Sequence, residues 1–207
     1  MSRLNLFAKA ALFLLLISTS TAASAWGWGL SPETDVLPVA GETMGEVNWI
    51  VDDVGEGPCA AYTPIPDPLP PISNPPTFVN AQTLTKSVGI LRPLGRVVIE
   101  TAHCAEGPYA LDGTVTLYAA GGTLEGVYVA ETLFITPPPG SPLDLPAAGS
   151  LIVQETTYEI TGGTGRFEDA GGTLLAQVFI EVGDYGYAAE MTWSIRQAIA
   201  GHVLFPE

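Results

Sequence analysis

Apolar and polar residues alternate with a period of two along much of this chain. Val97 and Ile99 oppose Arg96, Val98 and Glu100, while Leu174, Ala176, Val178, Ile180 and Val182 oppose Gln177 and Glu181. Ala189, Met191, Trp193 and Ile195 stand against Glu190, Thr192, Ser194 and Arg196 in the same way. That period belongs to antiparallel strands with one buried face. It predicts strands over 46–52, 83–91, 94–102, 113–119, 123–135, 150–161, 172–182 and 187–198, the first with Val47, Trp49 and Val51 on one face. Ala119-Ala120-Gly121-Gly122 and Gly183-Asp184-Tyr185-Gly186 read as hairpin turns, and a longer loop runs over 137–149. No segment after residue 25 has helical periodicity. The prediction is an all-β antiparallel barrel, because closure removes edges that a chain poor in lysine has little means of protecting.

Glycine marks the corners of that barrel. Five glycines stand within Gly162-Gly163-Thr164-Gly165-Arg166-Phe167-Glu168-Asp169-Ala170-Gly171-Gly172. Glycine enters positive φ without steric cost, so the run reads as a tight structural corner built on Gly162, Gly163, Gly165 and Gly171, with Phe167 as a plug at the end of the core. Arg166 is expected to pair with Glu168. The stretch resembles the Gly-Gly-Thr-Gly-x-Phe signature of the dirigent and allene oxide cyclase group of β-barrels, including small bacterial secreted members. A Leu-Gly-Arg strand at Leu94-Gly95-Arg96 and a Gly-Thr-Val-Thr-Leu strand over 113–117 follow the same order. The resemblance covers about 84–203. It implies a calycin-like barrel, oligomeric in plant relatives, that holds a reactive apolar ligand in a cavity for cyclisation or guided radical coupling. It assigns no catalytic or ligand-binding residue here.

The N-terminus changes the picture from fold to destination. Arg3 and Lys9, the apolar run 10–17 and Ala23-Ser24-Ala25 compose a secretory signal, with cleavage near Ala25 and export to the periplasm or medium. The run is too short to span a bilayer, and no later window supplies a transmembrane helix. Residues 26–76 read as an irregular arm with one strand and a proline-dense connector over 58–76, leaving 77–207 as the barrel domain. Cleavage removes two cations and no acid, so five cations remain against 22 acids, a net charge of −17 rather than −15. Such acidity disfavours nucleic acid or anionic lipid as partners. In an oxidising compartment Cys59 and Cys104 are expected to join.

Candidate chemistry is sparse. There is no P-loop, dinucleotide fingerprint or nucleophile elbow, and no cofactor is expected. Asp52, Asp53 and Glu56 are too few for a calcium loop, and His103 beside Cys104 lacks the further ligands of a zinc site. Glu100, Glu125, Glu131 and Glu190 would matter only if they converged in a cavity. Tyr118, Tyr128 and Tyr158 are the residues able to hydrogen-bond a ligand inside a barrel. An outer-membrane barrel is disfavoured by the charges opposite the core. The reading is therefore a secreted, non-catalytic barrel that binds a small apolar ligand or acts through its surface, with a cyclase or coupling guide as the alternative and a homo-oligomer left open.

Overall fold

The computed structural model describes residues 35–67, 77–105, 110–137, 148–183 and 192–205. The signal segment 1–25, the turn at 184–186 and Glu190 lie outside them. The strands are β1 (Asp35–Asp52), β2 (Ile65–Pro66), β3 (Phe78–Arg92), β4 (Gly95–Cys104), β5 (Ala110–Ala119), β6 (Gly122–Thr136), β7 (Leu151–Gly163), β8 (Gly171–Glu181) and β9 (Thr192–Phe205). Among the described residues there is no α-helix, only a 3-10 turn at Gly165–Phe167.

Strands β3 to β9 form an antiparallel meander, and β1 closes it by pairing with β9 on one side and β3 on the other. The result is a closed eight-stranded barrel, with β2 added only at the outer end of β3. Its stagger is legible in the register. From Val47 the lateral row passes through Thr85, Thr101, Val115, Gly126, Ile160, Gly172 and Val203, and re-enters β1 at Leu37, ten residues away. A stagger of ten over eight strands requires a strand tilt of about 40° and a backbone radius of about 8 Å. A barrel of that width is just filled by its own side chains or holds one small ligand.

Two sequence expectations are corrected here. Residues 35–45 are not an irregular arm: they are the first half of β1, so the barrel includes a strand well before residue 77. The alternation is present, with Val39, Thr43 and Val47 buried between exposed or half-buried neighbours, but Gly41 and Gly45 at inward positions disguise it. They are glycine because β3 passes too close; a Cβ on Gly45 would lie 1.9 Å from the Lys86 carbonyl oxygen. The proline-dense connector also contains a paired element, the two residues of β2.

The two ends differ. The β3–β4, β5–β6 and β7–β8 turns lie at one end, which Phe167 closes; the β1–β3, β4–β5, β6–β7 and β8–β9 connections leave from the other. There Cys59 meets Cys104 with S–S 2.03 Å, tying the β1–β3 connection to the end of β4. Asn80 organises the same connection, donating to the carbonyls of Cys59 (2.9 Å) and Tyr62 (3.1 Å) and accepting from Gly55 N–H (2.7 Å).

Candidate functional site

The barrel interior is apolar at the Phe167 end, where Leu91, Leu94, Val97, Leu117, Leu124 and Val203 pack, and polar at mid-height. Tyr158 of β7 donates its hydroxyl to Gln197 Oε1 of β9 (2.5 Å), and Gln197 Nε2 donates to Ser87 Oγ of β3 (3.0 Å). This chain spans the lumen, and all three residues are buried. Beside it Tyr128 of β6 shares a hydrogen bond with His103 Nδ1 of β4, and the two tyrosine rings lie 6.0 Å apart. Thr43 and Thr83 are also buried and inward, and their hydroxyls have no hydrogen-bond partner among the described residues.

Burial sets the electrostatics of this belt. Desolvation pushes His103 down to about 4, against a smaller upward pull from Asp112, so the imidazole is neutral at ordinary pH. Desolvation likewise raises Tyr128 and Tyr158 far above the usual phenol range, so both keep their protons. A histidine and a phenol in contact are competent for proton transfer in principle. Here they are spent on each other. The belt side chains are at most 9% exposed, so these groups face one another far more than they face solvent.

Among the described residues the candidate carboxylates Glu100, Glu125 and Glu131 do not converge in the lumen. Glu100 faces outward from β4, pairing with Lys86 Nζ at 2.7 Å and accepting from the Tyr118 hydroxyl at 3.2 Å. The ammonium of Lys86 lowers the Glu100 carboxyl, and Glu100 in turn raises both Lys86 and Tyr118. Glu125 accepts from Thr123 at the surface, and Glu131 is exposed on β6. His103 points into the barrel and Cys104 out of it, so their adjacency is no ligand pair.

In the corner between β7 and β8 the backbone constraint falls on Gly163 and Gly165. Gly165 has φ +63°, and a Cβ on Gly163 would lie 2.1 Å from the Thr123 carbonyl oxygen. Gly162 and Gly171 have room for a side chain and ordinary φ. Phe167 is 1% exposed and stacks on Phe205 at 6.1 Å. Arg166 forms no ion pair with Glu168; its guanidinium lies over the Phe167 ring at 4.6 Å.

The outer wall holds what the sequence reading missed. Across β9, β1, β3 and β4, a groove is lined by Met44, Val88 and Ile90, with Glu42, Arg96 and Arg196 around them. Met44 and Val88 are direct cross-strand partners, and Met44 and Ile90 are 62% and 63% exposed. Among the described residues the only ion pair is Lys86–Glu100, so both arginines lack an ionic partner there. The signal lay in the sequence as Met44, Ile90 and the two arginines, but only the β1 register assembles them.

No protein-family model, curated protein or solved structure matches the chain.

Proposed function

We propose that this chain is an exported, non-catalytic barrel whose working surface is its outer wall. The observation that carries this reading is a contrast. The tyrosines, histidine and glutamine of the lumen are buried in hydrogen bonds to one another or to Ser87, whereas Met44, Val88 and Ile90 stand exposed between two arginines that have no ionic partner among the described residues. Exposed apolar residues rimmed by charge are the physical mark of an interaction surface. The strand order and glycine corner support a scaffold resembling the dirigent and allene oxide cyclase barrels, with its function moved from the lumen to the wall. The Cys59–Cys104 pair supports an oxidising compartment.

The test uses an anionic aromatic fluorophore, anilinonaphthalene sulfonate, whose sulfonate and rings match the arginines and the apolar floor. Native protein should enhance its fluorescence, and Arg96→Glu with Arg196→Glu, or Met44→Ser with Ile90→Ser, should abolish most of the enhancement. Dye binding that ignores these changes and responds to Tyr158→Phe would instead place the ligand in the lumen and restore the cyclase or coupling-guide alternative.

A further inference from the structure

We infer that the arginine-flanked groove is filled by the opposite wall of a second copy of this chain, in a head-to-tail contact. The inference rests on the groove being a binding surface. Of the five cations after residue 25, Lys86 and Arg92 stand on β3, Arg96 on β4 and Arg196 on β9; only Arg166 lies elsewhere, in the corner. Strands β5 to β8 carry none. Their outward positions hold Asp112, Glu125, Glu131, Glu155, Glu159 and Glu181 instead. In the strand order of the ring, β6 and β7 lie across the barrel from β1 and β3.

The acidic wall mirrors the groove in apolar content as well as in charge. Val129 is 57% exposed, and its lateral row runs through Thr157 to Leu175, which is also exposed. One register step away, Glu131 and Glu155 are direct cross-strand partners, both exposed and with no cation beside them. Like charges placed opposite each other destabilise a sheet. A guanidinium brought between them reverses that penalty, and Arg96 and Arg196 are guanidiniums without ionic partners beside an apolar strip. One wall thus presents apolar residues flanked by two arginines and one acid, Glu42, and the other presents apolar residues flanked by carboxylates alone.

Net charge does not forbid the contact. At physiological ionic strength charges more than about 8 Å apart are largely screened, so the groups in contact decide, and the distant acids of a −17 chain contribute little. Because the two surfaces differ, the interface is heterologous, and copies joined this way close into a ring or continue as a filament.

Sedimentation equilibrium of the exported protein in physiological salt tests this. The wild-type chain should associate reversibly with rising concentration. Arg96→Glu with Arg196→Glu, and separately Glu131→Lys with Glu155→Lys, should each weaken self-association by about tenfold or more. All four positions are on the outer wall, and unchanged thermal melts will show that the variants fold. In a mixture of the two double variants, the intact arginine groove of one meets the intact carboxylates of the other, and the two reversed walls are complementary as well, so mixing should restore the association that each variant alone has lost. A wild-type chain that stays monomeric overturns the inference, as does association that survives either double variant or a mixture that fails to recover it. Fluorophore binding at the groove in a strictly monomeric protein would overturn the second copy alone and leave the binding surface standing.

Discussion

A single buried residue, Gln197, sits between two strands that are distant in sequence, accepting from Tyr158 and donating to Ser87. Removing the Tyr158 hydroxyl leaves the amide oxygen of Gln197 buried and unpaired, which costs more than the lost bond itself. Tyr158→Phe should therefore lower stability by about 1–3 kcal/mol in urea unfolding, with the m-value unchanged. His103 makes the residue scale depend on pH. Its folded value is about 4 against 6.5 for the free imidazole, so between those limits the unfolded chain takes a proton that the folded chain refuses. Stability should fall as pH drops from 6.5 toward 4 and gain no further loss from this group below that. The ceiling on the effect is about 3 kcal/mol. Tyr128 and Asp112 are the titratable neighbours, and the Tyr128 phenol does not ionise in that window. His103→Gln should flatten the dependence of the unfolding midpoint on pH between those values. An unchanged slope in the variant would assign the acid sensitivity to other groups.

Among the elements, the corner between β7 and β8 concentrates the strongest local constraints. Gly165→Val places a β-branched side chain at φ +63° and against the Gly121 carbonyl, so it should destabilise the barrel severely, and Gly163→Val should do the same by collision alone. Phe167→Ala should cost about 3–5 kcal/mol by opening a cavity under the plug. Gly162→Ala, with open space at its Cβ position, and Gly171→Ala, whose Cβ would make only an ordinary contact at 3.7 Å with the Ile160 carbonyl oxygen, should melt close to wild type, and Arg166→Ala should change little because its contact with the Phe167 ring lies at the surface. Thermal melts of the set check the order. The corner shows what sequence can and cannot yield. A glycine run says that the chain turns sharply and Phe167 says that something is covered, but which glycine is obligatory depends on the approach of Thr123 and Gly121 from another hairpin. Strands β3 to β9 were legible because alternation persists in them. The first half of β1 was not, since Gly41 and Gly45 remove side chains from the buried face for the sake of a neighbour that lies far along the sequence. The groove stayed hidden for the same reason, because Met44 and Val88 become neighbours only through that pairing.

At the scale of the molecule, β1 is the strand that turns a seven-stranded meander into a barrel, and two different bonds hold it. Its backbone pairs with β3 and β9 along almost its whole length, and the connection that follows it is tied to β4 through Cys59–Cys104. The sequence separation of 45 makes that link worth about 4 kcal/mol in the chain-entropy model. Titration of the denatured, unreduced protein should find no free thiol. The two restraints separate in a chain carrying an engineered cleavage site between Asp67 and Thr77. Cut but oxidised, the segment holding β1 remains covalently attached, so unfolding stays unimolecular and the melting temperature should be independent of concentration. Cut and reduced, the same barrel becomes a complex of two chains held only by pairing and core burial, and its melting temperature should fall on dilution. A reduced, cut protein whose melting temperature ignores concentration would mean that β1 does not fold as part of the cooperative unit. The register places Val39, Val47 and the Trp49–Trp193 contact in the common core, and concentration dependence is the behaviour that such a shared core demands.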